Sequence, residues 1–140
     1  MALIIDIANA VVDQINNSVI WPEGVAATMN LKPEFELKDL KNLKVTIVPR
    51  ALKFSSETRR DGGREVKIDI GVQRKTADPE ILAELMQLVE DIAGLFERKR
   101  LNQYQHAICV GIENDPIYDP EHMRQMRQFT SVITLTFKVL

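Results

Sequence analysis

The stretch that decides the fold is Ser55–Lys75, SSETRRDGGREVKIDIGVQRK. Its second half alternates in character: the apolar residues Val66, Ile68, Ile70 and Val72 are separated by Lys67, Asp69 and Gly71 and followed by Gln73. Because successive side chains of a strand point to opposite faces, this pattern predicts a strand over Glu65–Arg74, with one face in the core and the other in water.

A partner for this strand precedes it in the chain. Lys44–Val48, in the stretch KVTIVP, alternates and is rich in β-branched residues, which predicts a second strand and a hairpin. Asp61-Gly62-Gly63 lies near the end of the connection, where glycine reaches positive φ without strain. The predicted connection of about 15 residues is longer than hairpin loops usually are, which favours a functional or flexible loop.

The predicted hairpin carries a net positive charge within an acidic chain. The formal net charge is −2, yet the segment Arg50–Lys75 contains eight basic and four acidic residues. Arg59, Arg60 and Arg64 surround the glycines and are the candidate contact residues. Such a loop can contact a polyanion or the acidic side of an identical neighbour, or it can be a solvated hairpin loop.

The rest of the chain predicts an α+β fold. Ile5, Ala8, Val12, Ile15 and Val19 form a helical stripe, and a second helix is predicted over Asp78–Arg100, with acidic residues early and Arg98, Lys99 and Arg100 late. Strands are expected at Val25–Leu31, at His106–Ile112 and in the C-terminal stretch FTSVITLTFKVL, and a short helix from Pro120 to about Met126. We therefore expect one domain over residues 1–140, an antiparallel or mixed β-sheet with two longer helices packed on it and a long basic hairpin loop.

The stretch DPE occurs twice, at Asp78–Glu80 and Asp119–Glu121. Both copies read as helix starts, because aspartate can accept hydrogen bonds from the free backbone N–H groups and proline fits the first helical position.

The sequence contains no arrangement that indicates catalysis. His106 and Cys109 are three residues apart on a predicted strand, which places them on opposite faces. Asp115, Asp119, Glu121 and His122 could bind a divalent cation, but turn and helix-cap chemistry explains them better. Gly62-Gly63-Arg64 is no phosphate loop, since a strand follows it. No catalytic, cofactor or metal residue is therefore expected.

Several observations concern the compartment. No apolar run is long enough to span a bilayer, and the start MALIID lacks the basic region of a secretory signal. The single cysteine cannot form an internal disulfide, which suits a reducing compartment. We expect no contact with a membrane.

Several stretches together resemble a known family. NDPIYDPEHMRQMRQFTSVITLTF (Asn114–Phe137), taken with KVTIVP, VKIDIGVQRK and the helix that follows, is similar to the tail terminator, or tail completion, proteins of tailed bacteriophages and prophages. The resemblance covers most of the chain, and no chemically obligatory residue anchors it.

The resemblance implies a structural virion protein of the tail or neck, assembled in the bacterial host cytoplasm. It implies a homo-oligomeric ring, commonly a hexamer, that caps the tail tube and joins it to a neck or head-completion protein. DNA passes through the lumen of such a ring and could contact it transiently. The resemblance implies no catalysis and assigns no site residue. The alternative is a small non-catalytic α+β module that binds nucleic acid or a cytosolic ligand.

On this reading Arg59, Arg60 and Arg64 have two functional uses: they face DNA in the lumen, or they pair with acidic groups on the neighbouring subunit or the tube. Glu57, Asp61 and Glu65 would weaken attraction for a polyanion. The mixed signs therefore favour the protein contact slightly.

Overall fold

The computed structural model describes residues 2–18, 27–31, 43–54, 63–76 and 78–139. A six-stranded mixed sheet in the order β1-β2-β3-β6-β5-β4 combines with three helices. The elements are α1 Leu3–Asn16, β1 Ala27–Met29, β2 Lys44–Phe54, β3 Arg64–Lys75, α2 Pro79–Gly94, β4 Arg100–Leu101, β5 Tyr104–Glu113, α3 Pro120–Met126 and β6 Gln128–Val139. The α+β prediction is confirmed.

The predicted central strand is β3, and it pairs antiparallel with β2 on one side and β6 on the other. Val66, Ile68, Ile70 and Val72 are completely buried, so the predicted register is confirmed. They belong to one hydrophobic cluster that also contains the inward side chains of β6 and of the two longer helices. We call this side of the sheet the core face.

The opposite side, which we call the second face, is less exposed than predicted. Asp69 and Gln73 of β3 are both buried, although the alternating pattern predicts that this face of the strand lies in water. The cause is the polar packing across the sheet, since Gln73 is paired with Thr130 and Asp69 with Thr134 of β6. Asp69 accepts a hydrogen bond from the Thr134 hydroxyl there, which offsets the cost of burying its carboxylate.

Strand β2 is longer than predicted and continues to Phe54, which pairs with Arg64. The predicted strand ended at Val48, just before Pro49. Because β1 pairs only with Val45–Ile47, the proline lies beyond the part of β2 that has hydrogen-bonded neighbours on both sides, and the strand can continue through it. The register shifts between Pro49 and Ala51, which makes Arg50 the extra residue of a bulge. The connection is therefore residues 55–63, shorter than expected; of these only Gly63 is described.

Both longer helices pack on the core face, as predicted, but the details differ. In α1 the fully buried residues are Ile7, Ala8, Val11 and Ile15, whereas Ile5 and Val12 are only half buried. The buried face of α1 is therefore rotated slightly about the helix axis from the predicted face. Val19, the last residue of the predicted stripe, lies outside the described residues.

Helix α2 is shorter than the predicted Asp78–Arg100. It ends at Gly94, and Arg98 takes a left-handed φ of 56° that turns the chain into β4. Phe96, beyond the helix, is buried edge-on against Phe137, with ring centroids 6.4 Å apart. The apolar stripe of α2 thus continues into a buried turn after the helix. The prediction that basic residues occupy the last turn of α2 is wrong, because the helix ends before Arg98.

Two amides in the last turn of α1 hold the two outer regions of the sheet. Asn16 accepts a hydrogen bond from the Ala27 N–H at 2.7 Å and donates one to the Ala27 carbonyl at 3.1 Å. Gln14 donates to the Leu95 carbonyl at 3.1 Å and accepts from the Asn102 N–H at 2.9 Å. β1, predicted within Val25–Leu31, thereby joins the sheet parallel to β2.

Both predicted helix caps are confirmed. Asp78 accepts a hydrogen bond from the Glu80 N–H at 3.0 Å, and Asp119 accepts from the Glu121 N–H at 2.9 Å. The two-residue strand β4 was not expected, because it lies in the stretch assigned to the end of α2.

Candidate interaction surfaces

The three candidate arginines are not brought together within the described residues. Arg64 begins β3 and is exposed, opposite Phe54 on one side and Val139 on the other. Arg59 and Arg60 lie outside the described residues. The structure therefore positions one of the three, at the tip of the β2–β3 ladder.

The residues around Arg64 form an unusual surface, which we call the hairpin end: Leu52, Lys53, Phe54 and Arg64. Phe54 is 68% exposed and Leu52 is 42% exposed. Leu52 pairs with the buried Val66 and so lies on the core-face side of the sheet, two residues from Phe54 on the same face. Lys53 pairs with Glu65 and lies on the second face, so Arg64 is the cation beside Leu52 and Phe54. Large exposed apolar side chains next to a guanidinium are typical of a contact surface.

A second surface lies at the other side of the sheet, between the end of α2 and β5. This groove, which we call the α2–β5 groove, has a volume of about 640 Å³. It is lined by Glu90, Ala93, Gly94, Glu97, Arg98 and Ile108–Ile112. Val110, at a register shift of β5, is 56% exposed. The groove is thus largely apolar, with two carboxylates and one guanidinium in its wall.

The β5 side of this groove is an open strand edge. Strand β4 pairs with β5 only at Tyr104 and Ile108, and the Cys109 N–H donates to the Lys99 carbonyl at 3.0 Å. Beyond that point no strand of the described part of the chain pairs with the outer edge of β5. Open edges of this kind can pair with another chain.

The second face carries a polar cluster centred on Asp69. The Thr134 hydroxyl donates to Asp69 Oδ1 at 2.7 Å, and Arg50 Nη1 approaches Asp69 Oδ2 at 3.3 Å and Thr134 Oγ1 at 3.3 Å. A cavity of about 210 Å³ adjoins it, lined by Arg50, Lys67, Glu113, Asp115, Val132 and Thr134. The Thr134 hydroxyl is therefore engaged in contacts within the molecule.

The acidic cluster of the sequence is occupied by local contacts. Asp119 caps α3, and its Oδ2 lies 3.7 Å from His122 Nε2. His122 Nδ1 lies 2.9 Å from Thr130 Oγ1, and Glu121 is paired with Arg124. Within the described ranges no group of three His, Cys, Asp or Glu side chains could hold a metal ion.

Cys109 and His106 occupy opposite faces of β5, as the spacing predicts: Cys109 is buried and His106 is exposed. Burial raises the pKa of the Cys109 thiol, which therefore stays protonated near neutral pH. A protonated, buried thiol is a poor nucleophile, and this cysteine packs in the core.

Comparison with known proteins bears on the fold. The chain is similar to the sheath/tube terminator of an extracellular contractile injection system, PVC, in its extended state, with a TM-score of 0.53 and 13% sequence identity. The chain has a terminator-like fold. The match covers 99% of this chain and 57% of the other, so this chain spans little more than half the length of that protein. No protein-family model and no curated protein matches the sequence.

Sequence reasoning missed the two surfaces that the terminator-like fold exposes. Leu52 and Phe54 alternate with Lys53 after Pro49, a signal that β2 continues past the proline. No sequence signal could have found the α2–β5 groove, because its walls come from segments that meet only in the fold. None of the described helices is long and apolar enough to cross a membrane.

Proposed function

We propose that this chain is a structural subunit of a phage tail or a phage-tail-like particle, and that it forms a ring that terminates the tail tube. The observation that carries this proposal is the similarity to a sheath/tube terminator over 99% of the chain. The sequence also resembles the tail terminator proteins, and that resemblance depends on the residues rather than on the fold.

The proposed partners follow from this role. The ring, a hexamer in the proposal, binds the last layer of the tail tube on one side and a neck or head-completion protein on the other. Where the particle is contractile, the sheath is a further partner. In this proposal residues 1–140 form one domain. The similar terminator is longer, since the match covers 57% of it. The protein belongs in the virion tail or neck and is assembled in the host cytoplasm.

A non-catalytic role fits the contacts of the side chains that could do chemistry. Asp119 is used as a helix cap, His122 contacts Thr130, and Cys109 is buried with a raised pKa. Each of these groups already has a structural partner or lacks access to substrate. The proposed function therefore rests on shape and surface, which is the usual basis of assembly.

We also propose that Arg59, Arg60 and Arg64 contact the neighbouring subunit or the tube. The exposed position of Arg64 beside Phe54 supports a protein contact, because an apolar side chain adds little to the binding of phosphates. Contact with DNA in the lumen is the competing use of the same three residues.

The proposal is tested in the strain that produces the particles. We expect deletion of the gene to give tails of abnormal length, or tails that fail to join heads, in negative-stain electron micrographs. Complementation with the wild-type gene should restore normal particles. Normal infectious particles from the deletion strain would refute the terminator role. A monomer that binds DNA or a small ligand would instead favour the alternative, a small binding module.

A further inference from the structure

We propose that the hairpin end of one copy docks into the α2–β5 groove of the next copy, so that subunits join head to tail. This inference rests on the proposed ring and specifies its subunit contact. The two surfaces differ from each other, and a contact between unlike surfaces repeats from copy to copy. It yields a closed ring when the rotation closes, unlike the paired contact of a two-fold dimer.

The first argument is the position of the two surfaces. In the order β1-β2-β3-β6-β5-β4 the hairpin end belongs to the β2 side and the groove to the β5 side. β1 pairs only with Val45–Ile47, so from Val48 to Phe54 no strand of the described residues covers the outer edge of β2. Each side of the sheet therefore offers an open edge to another copy.

The second argument is direction. β2, β3, β6 and β5 are successively antiparallel, so β2 and β5 run in opposite directions. A neighbouring copy in the same orientation therefore brings its β2 antiparallel to β5. Antiparallel edges can exchange hydrogen bonds when two sheets meet.

The third argument is the apolar match. Leu52 and Phe54 lie on the core-face side of β2, and the groove also lies on that side, since α2 packs on the core face. Side chains of the incoming hairpin end would therefore point towards α2 of the next copy. A Cβ added at Gly94 would meet no atom within 4 Å, so open space lies over this residue at the wall of the groove. That space suits an aromatic ring.

The fourth argument is charge. On the core-face side the hairpin end carries Arg64, whereas Lys53 pairs with Glu65 on the second face; the groove carries Glu90 and Glu97 against the single cation Arg98. The groove also lies at the carboxyl end of α2, where the helix dipole is negative and the last turn has no basic residue. Opposite charges on unlike surfaces favour the head-to-tail contact over contact of either surface with itself.

The test begins with a variant that fills the groove. Gly94→Leu places a side chain in open space and replaces a weak helix former, so the monomer should fold with an unchanged or higher Tm. We expect the variant to assemble at least about tenfold more weakly than wild type by mass photometry and sedimentation. Ala83→Leu adds an apolar side chain at an exposed position on the same face of α2, about three turns before Gly94 and outside the groove, so this control variant should assemble normally.

A charge exchange tests the pairing of the two surfaces directly. Glu90→Lys with Glu97→Lys reverses the groove, and Arg64→Glu reverses the core-face side of the hairpin end; all three side chains are exposed. Each variant alone should assemble at least about tenfold more weakly than wild type. An equal mixture should regain assembly, because each reversed surface then meets a complementary one and the two variants alternate.

The outcomes separate this inference from the proposed function. Rings that form equally well with Gly94→Leu, or charge-reversal variants that do not rescue each other, overturn the docking contact and leave the ring intact. Wild-type protein that stays monomeric at every concentration, and on isolated tail tubes, overturns both. Monomer that binds tubes only through the hairpin end assigns that surface to the tube and also overturns the inference.

Discussion

The middle of β3 and its beginning belong to one strand but obey different constraints. Around Ile70 the strand has partners on both sides, and even its polar residues are buried. At Arg64 the strand is still paired with β2 and β6, yet the neighbouring Phe54 is largely exposed. The difference teaches that pairing alone does not bury a strand: the helices cover the middle and leave the hairpin end available for contacts between molecules.

The strongest test of this comparison is a cavity in the middle of the strand. Ile70 is completely buried, and Ile70→Ala should lower the free energy of unfolding by about 2–5 kcal/mol. Urea denaturation followed by circular dichroism measures this loss. A loss of less than about 1 kcal/mol would contradict the register and the single core.

A smaller effect is expected on the second face. Asp69, with a side chain only 11% exposed, accepts from Thr134 and pairs with Arg50. Asp69→Ala leaves the Thr134 hydroxyl without its acceptor and Arg50 without its ion-pair partner, and it should cost about 1–3 kcal/mol in the same experiment. Glu65→Ala, on the same face near the strand's beginning, is the control and should stay within about 0.5 kcal/mol of wild type. Equal losses of unfolding free energy for Asp69→Ala and Glu65→Ala would show that the middle and the beginning of β3 do not differ on this face.

At the hairpin end the effects on stability and assembly should separate. Phe54→Ser removes a largely exposed ring, so the free energy of unfolding should change by no more than about 0.5 kcal/mol. Assembly, measured by mass photometry, should weaken because the variant loses an apolar contact. A large loss of stability would show that Phe54 is needed within the subunit rather than between subunits.

The smallest change in stability is expected for the combined change of Arg59, Arg60 and Arg64 to alanine. The monomer should remain folded, with melting unchanged within error, and assembly should be impaired. Normal assembly and head joining with poor DNA ejection would assign the arginines to the lumen. Wild-type behaviour in every assay would identify the loop as a solvated hairpin.

Those parts of the fold that depend on local sequence patterns were predicted correctly. The alternation around Ile70 and the caps at Asp78 and Asp119 were predicted, because strand periodicity and capping involve residues near one another in the chain. The turn at Arg98 was not, because Phe96 continues the apolar stripe of α2 although it is buried by Phe137, a residue distant in sequence.

The candidate site shows the same division. The basic character of the hairpin could be read from the sequence, and it drew attention to Arg64. The exposure of Phe54 depends on which strand ends the helices leave uncovered, and the α2–β5 groove requires that residues 90–98 meet residues 108–112. Contacts of this kind depend on the three-dimensional packing and produce no periodic pattern in the sequence.

The two amides at the end of α1 have a consequence for the size of a ring. Asn16 holds β1 and Gln14 holds the turn beside β4, and these strands are the opposite margins of the sheet. A single helical turn therefore contacts both margins. In the proposed head-to-tail ring, the two margins carry the surfaces that one subunit offers to its two neighbours, so the spacing that Gln14 and Asn16 hold between them bears on the angle between subunits. We expect Gln14→Asn, whose amide is one methylene shorter and faces the Leu95 carbonyl and the Asn102 N–H, to change the number of subunits per ring counted in electron micrographs.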